Sequence, residues 1–348
     1  MQRRDLLVGA GACAAIAAMP LRATDLALPQ PAALGIIAAR EWAARTEITL
    51  YDIEIAQAVH YSEAAMALGV ARLSHHVPDF QLMNLVAQRW AKARDYFNSA
   101  NHVDSNVIGV WPMLLGDADG TGIALADGQW DETRADGLTA QARFWIDDVW
   151  MIGALQTQAW RHTGDPKYLD RAALMARIYA NRLQRPNGLF FHGPDAPFHW
   201  GRGNGWIAAG MAEVISVLPE DHHEYVELLA AYRRMMEALL QYQAEDGMWR
   251  QLVDKPEAWK ETSGTAMFGF AMQRGLNAGL LDPSIYEAPA RRAWDALSTY
   301  VDGEGRLREV CVGTGQSLDM QFYLDRPRVT GDLHGQAPLL WFAAEMLA

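Results

Sequence analysis

Apolar residues recur along most of this chain at three- and four-residue intervals, the period of an amphipathic helix rather than the alternation of a half-buried strand. Ile53, Ile55, Ala56, Val59, Ala65, Met66 and Leu68 fall into one such stretch, which predicts a single long helix through this region. Strand signals are nearly absent. A second helix is predicted to open within residues 144–151 and to run to about residue 160. At Thr163-Gly164-Asp165-Pro166 the punctuation is complete: Gly164 ends one helix, Asp165 caps the next and Pro166 suits its first turn.

One turn recurs. Asn187-Gly188-Leu189-Phe190, Asp246-Gly247-Met248-Trp249 and Gly303-Glu304-Gly305-Arg306 place comparable glycines 59 and 58 residues apart, the mark of an internal repeat. Each repeat holds two helices and a turn, and about 325 residues divided by this period give between five and six units. The expected fold is an all-α, six-fold (α/α)6 barrel, a closed toroid of helix pairs whose loops line a central cavity. The alternative is an open superhelical stack of helix pairs. Residues 111–130, containing Asp117-Ala118-Asp119-Gly120-Thr121-Gly122, form the longest break in the helical pattern and read as a lid or an insertion.

The first residues differ from the rest. Arg3-Arg4 precede an uncharged run over residues 6–20 and then Leu21-Arg22-Ala23, which reads as an export signal of the twin-arginine type, too short for a permanent membrane helix. Residues 1–23 are therefore expected to be a signal and 24–348 a single catalytic domain, periplasmic or secreted, with no membrane association after signal removal. Cys13 is a weak lipoprotein mark. Cys311 would then be the one cysteine left, so no internal disulfide can form. The net charge is −12 with no basic cluster, which argues against nucleic acid as a partner.

Candidate chemistry concentrates in three runs. Phe144-Trp145-Ile146-Asp147-Asp148-Val149-Trp150-Met151 sets two carboxylates among large apolar groups, surroundings that raise a carboxyl pKa toward that of a general acid. Either Asp147 or Asp148 is the candidate; the alternative is a helix cap. His199-Trp200-Gly201-Arg202-Gly203-Asn204-Gly205-Trp206, preceded by Phe190-Phe191-His192, reads as a glycine-rich loop offering Arg202 and His192 to a carboxylate and Trp200 or Trp206 to a sugar ring. A structural ion pair and two core tryptophans are the alternative there. The third run, Glu261-Thr262-Ser263-Gly264-Thr265, looks like a helix start in which Glu261 satisfies free amides. The glycines near Thr314 and Gly331 lack the Lys-Ser/Thr of a phosphate loop. The histidines form no zinc motif, no nucleophilic serine elbow occurs, and no metal requirement is expected. Carboxylate chemistry remains.

Together, Trp145-Ile146-Asp147-Asp148, Gly188-Leu189-Phe190-Phe191-His192, Trp200-Gly201-Arg202-Gly203-Asn204-Gly205-Trp206, Glu261-Thr262-Ser263-Gly264-Thr265-Ala266-Met267 and Asp332-Leu333-His334-Gly335 resemble glycoside hydrolase family 105, a relative of family 88. The resemblance covers roughly residues 40–346. It implies the six-fold α/α barrel and removal of a terminal 4,5-unsaturated uronic acid from lyase-generated oligosaccharides, rhamnogalacturonan fragments above all. By that resemblance Asp147 donates and accepts the proton in hydration of the double bond, Asp104 is a second active-site aspartate, and no metal or organic cofactor is needed. His192, Arg202 and Trp206 hold the unsaturated sugar, with Trp200, Asp148 and His334 as further contacts. The competing readings are an inverting hydrolase of saturated glycosides, with Asp104 as base and Asp147 as acid, and a sugar-binding protein without turnover.

Overall fold

The computed structural model describes residues 28–53, 56–96 and 102–348. The expected export signal and Cys13 lie outside them. The helices are α1 (Gln30–Ala44), α2 (Tyr61–His76), α3 (Leu82–Ala93), α4 (Val103–Asn106), α5 (Val110–Leu114), α6 (Thr121–Gly128), α7 (Asp148–Thr163), α8 (Lys167–Leu183), α9 (Gly201–Ile215), α10 (Tyr225–Tyr242), α11 (Thr262–Asn277), α12 (Pro283–Ser298), α13 (Met320–Leu324) and α14 (Leu333–Glu345). They form a six-fold barrel. The inner ring runs α2, α4 with α5, α7, α9, α11 and α14, and it closes where α14 packs on α2. Outside it stand α1, α3, α6, α8, α10 and α12. Closure rules out the open stack.

Burial separates the two rings as the sequence pattern demands. Every residue of α9 is buried, including four glycines and three alanines that let neighbours approach, whereas α8 and α10 keep polar residues along one outer face. The repeated turns have a shared tertiary cause. Gly188, Gly247 and Gly305 have φ of 84°, 89° and 83°. A Cβ on them would lie 2.5 Å from the Arg234 carbonyl oxygen in α10, 2.4 Å from that of Arg292 in α12 and 2.7 Å from Ile37 in α1. Each turn therefore presses on the next outer helix. Gly137, with φ of 80° in a turn against Leu174 of α8, is a fourth member that the glycine spacing did not reveal.

Two expectations fail. Residues 111–130 are neither lid nor insertion: they hold inner α5, outer α6 and the turn between, so the pattern breaks only because this pair is short. Buried Asp117, with φ of 45°, accepts from the amides of Gly122 and Ile123 and ties that turn to α6. The long helix through Ile53 and Val59 is also absent. Strands β1 (Leu50–Ile53) and β2 (Ala56–Val59) pair antiparallel, Tyr51 opposite Ala58, and α2 starts only at Tyr61. Tyr51, Ile53 and Val59 are residue types favoured in strands, a signal that the three-residue spacing of apolar groups obscured. A second ribbon pairs β3 (Val310–Cys311) with β4 (Arg328–Val329).

Candidate active site

The N-terminal ends of the inner helices converge at one end of the barrel and bring the candidate residues together. Asp147 stands at the N-cap of α7 but its side chain caps nothing. Its Oδ2 lies 3.5 Å from His192 Nε2; both atoms are buried and neither has a hydrogen-bond partner. The other ring nitrogen of His192 is 2.8 Å from the Tyr323 hydroxyl, which fixes the imidazole. Burial pushes the Asp147 carboxyl up, but His192 beside it and the Arg143 and Arg202 charges outweigh burial and hold it below the ordinary aspartate value. The apolar neighbourhood of the sequence therefore does not decide the acidity of Asp147, contrary to expectation.

Burial wins at Asp148, whose carboxyl is pushed up to about 6 against the opposing pull of Arg143 and Tyr179. Asp148 is wholly buried. Its Oδ1 accepts from Arg143 Nε and Nη2 at 2.9 and 2.6 Å, and its Oδ2 from the Arg143 amide and the Tyr179 hydroxyl at 2.9 and 2.6 Å. With both oxygens engaged by protein, Asp148 cannot be a substrate contact; it positions Arg143. That guanidinium also donates from Nη1 and Nη2 to Asp104 at 2.8 and 2.9 Å. Arg143 was invisible as a site residue because its two partners lie in different elements. Between Arg143 and Asp147, Phe144 holds φ of 59°, unusual for a bulky residue, and stacks on Tyr179 with centroids 5.0 Å apart.

The expected loop at residues 199–206 is the first turn of α9. Its glycines serve close approach rather than unusual torsion: a Cβ on Gly201 would meet the Arg250 carbonyl oxygen at 2.6 Å, and one on Gly205 the Met267 sulfur at 2.7 Å. Arg202 is buried and donates to the carbonyls of Cys311 and Val312, the latter at 2.6 Å, leaving Nε without a partner. Trp200 and Trp206 are not open platforms. Trp200 packs on His192 with centroids 4.6 Å apart, and Trp206 joins Trp150 and Trp341 in the core, 5.0 and 5.9 Å away. The half-buried ring beside the site is Trp145, edge-on to His192 at 5.6 Å.

His334 bridges two groups. Its Nε2 lies 2.7 Å from the Tyr61 hydroxyl and its Nδ1 2.6 Å from Asp332 Oδ1, which also accepts from the His334 amide and caps α14. Burial pushes the Tyr61 hydroxyl up, with Asp104 and Asp147 adding to it; the Asp332 carboxyl is held far down by His334 despite burial. Tyr61 is edge-on to Trp206 at 5.7 Å. Glu261, as expected, receives the amides of Ser263 and Gly264 at 3.0 and 2.6 Å. Tyr51, His60, Tyr61 and Tyr323 complete the constellation. His60 and Tyr61 stand at the start of α2 and Tyr323 in the short α13, whereas Tyr51 lies in β1, so no one motif joined the four. Among the described residues no group of three His, Cys, Asp or Glu is arranged to hold a metal ion.

A profile of the family described as Glycosyl Hydrolase Family 88 matches residues 37–348. The chain belongs to that family. This family 88 protein is 31% identical over 215 residues to an "Unsaturated 3S-rhamnoglycuronyl hydrolase" of Alteromonas sp. (strain LOR), covering 58% of this chain and 51% of that one. It is 26% identical over 213 residues to "Unsaturated rhamnogalacturonyl hydrolase YesR" of Bacillus subtilis (strain 168), covering 58% and 59%. The match thus spans about half the length of these curated relatives. A solved structure, of a possible member of the GH105 family from Salmonella enterica serovar Paratyphi A, superposes with a TM-score of 0.82 at 18% identity, covering 91% of this chain and 93% of that one. That likeness bears out the barrel.

Proposed function

We propose that this family 88 protein releases a terminal 4,5-unsaturated uronic acid from oligosaccharides left by polysaccharide lyases, rhamnogalacturonan-type fragments foremost, by hydrating the double bond. The observation that carries the reading is the Asp147–His192 pair: a buried carboxylate oxygen and ring nitrogen 3.5 Å apart, both unpartnered, at the convergence of the inner helix N-termini. Those ends carry partial positive charge, and Arg143 and Arg202 stand among them. A protein of net charge −12 thereby gathers cations where a uronate carboxylate would sit. The names of the relatives point to the same substrate class.

The C4=C5 bond with the ring oxygen on C5 is a vinyl ether. Protonated Asp147 delivers its proton to C4, and positive charge develops at C5 and the ring oxygen. The carboxylate so formed takes a proton from water as the water oxygen bonds to C5. The resulting hemiketal opens to a C5 ketone, and the hemiacetal exposed at C1 then expels the remaining sugar. Asp147 ends protonated again, and one water has been consumed. A bound uronate supplies the negative charge that offsets Arg143 and Arg202, which raises the Asp147 carboxyl from its depressed free-state value and allows it to hold the proton. Our reading puts this reaction in the periplasm or outside the cell, supported by Arg3-Arg4 and the uncharged run over residues 6–20, which read as a twin-arginine-type leader.

The inverting alternative is less favoured, because both oxygens of Asp104 are occupied by Arg143, an arrangement that weakens a general base. The test is lyase-generated oligosaccharide followed by ultraviolet absorbance of the conjugated double bond. Absorbance falls with the wild-type protein, and the rate of that fall is lower by a factor of about 10²–10⁴ in Asp147→Asn at unchanged circular dichroism. Cleavage of saturated glycosides with the absorbance constant would instead support the inverting reading, and binding without turnover the silent one.

A further inference from the structure

The opposite end of the barrel, where the inner helices terminate, carries a second charged cluster that the hydrolytic site does not use. A cavity of about 310 Å³ opens there, walled by Arg72 and His75 of α2, Arg161 of α7, Arg274 of α11 and Glu345 of α14. Glu213 of α9 lies buried beside it and pairs with Arg72 and, at 3.7 Å, with Arg161; Arg274 pairs with Glu345 at 3.0 Å. Three guanidinium groups thus face two carboxylates.

Helix C-termini are partly negative, and arginines often sit there to satisfy terminal carbonyls. That explanation does not cover this cluster. Among the described residues Arg72 and Arg161 donate to no helix-terminal carbonyl, and Arg274 gives Nε to Ser216 Oγ at 3.1 Å. Arg72 Nη1 is buried without a partner. Burial lowers the Arg161 pKa, and the like charges of Arg72 and Arg274 lower it further although Glu213 opposes them. Arg161 therefore stands among more positive charge and burial than Glu213 offsets.

We infer that this cavity is a binding site for a small divalent oxyanion of the phosphate or sulfate class, held by Arg72, Arg161 and Arg274. A planar guanidinium presents paired N–H donors that match two oxygens of such an anion, and three on separate helices surround it. Binding joins the ends of α2, α7 and α11, so it stabilises the closed ring without touching the Asp147 end.

The experiment is thermal unfolding of the full-length protein in sodium phosphate, sodium sulfate or sodium chloride at one pH and matched ionic strength. Phosphate or sulfate raises Tm saturably above chloride, as linkage requires of a ligand that binds the folded state. Arg161→Gln weakens the apparent affinity by roughly tenfold, the loss of one charge-assisted contact, while hydrolytic rate is unchanged. Glu213→Gln removes the competing carboxylate and tightens it. The proposal is overturned by equal Tm values in all three salts, by an unaltered response in Arg161→Gln, or, should that variant not fold, by unchanged or weaker affinity in Glu213→Gln. None of these outcomes depends on the hydrolytic assignment.

Discussion

His192 Nε2 and Asp147 Oδ2 approach to 3.5 Å across the boundary between the α8–α9 connection and the start of α7, and His192 is in turn held by Tyr323. The pair is set by three separate segments, which is why its chemistry can be perturbed without touching the carboxylate itself.

Removing the imidazole relieves one influence that holds the Asp147 carboxyl down. Asp147 acts as donor when protonated, so the limb of kcat/KM that falls with rising pH reports its pKa in the free enzyme. His192→Asn moves that limb to higher pH, alongside a lower maximal rate. A limb that stays in place or moves to lower pH would show that His192 binds substrate without tuning Asp147.

Asp148 sets a pH dependence of stability with a definite sign. Its folded pKa of about 6 lies above the ordinary aspartate value, so its contribution is fully present below about pH 4 and is lost as pH rises through about 6. Urea unfolding of wild type and Asp148→Asn between pH 4 and 7 should show the wild-type advantage shrinking with rising pH, by on the order of 2 kcal/mol. An advantage that grows over that interval would contradict the burial-dominated environment.

The turn glycines separate torsional from steric cost. Gly164 has φ of 74° with open space around it, so Gly164→Ala costs about 1 kcal/mol. Gly188→Ala carries the same torsional cost and also drives a methyl against the Arg234 carbonyl 2.5 Å away and the Ala238 side chain, so it costs roughly 2 kcal/mol or more beyond Gly164→Ala. Chemical denaturation of both variants measures the difference, and equal losses would mean that the α10 contact yields freely.

Trp145 and Trp206 should respond in opposite ways. Trp206 is fully buried among Trp150, Trp341 and Tyr61, so Trp206→Ala lowers stability by about 3–5 kcal/mol. Trp145 is half-buried beside His192 and Arg143, and Trp145→Ala raises KM with a smaller loss of stability. A Trp206 variant that melts like wild type but binds substrate poorly would restore its expected role as a sugar platform.

Much of this protein was written in short-range pattern. Helical periodicity, the Gly164 to Pro166 junction and the recurrent glycine turns determined an all-helical barrel of paired helices, and Glu261 was legible as the group that satisfies the start of α11. Adjacent carboxylates at a helix start marked the site, and the shared motifs singled out Asp147, because each signal lies within one element or one connection. The environments of those carboxylates were decided only by tertiary structure. Desolvation and Coulomb interaction depend on whatever folds nearby: Arg143 reaches Asp104 39 residues away, and Tyr61 meets His334 273 residues away. For the same reason Asp148 proved a buried anchor, Trp200 and Trp206 proved packed rather than open, and residues 111–130 became a short helix pair. A linear sequence records which groups are present; the folded ring determines which of them share a dielectric, a proton and a partner.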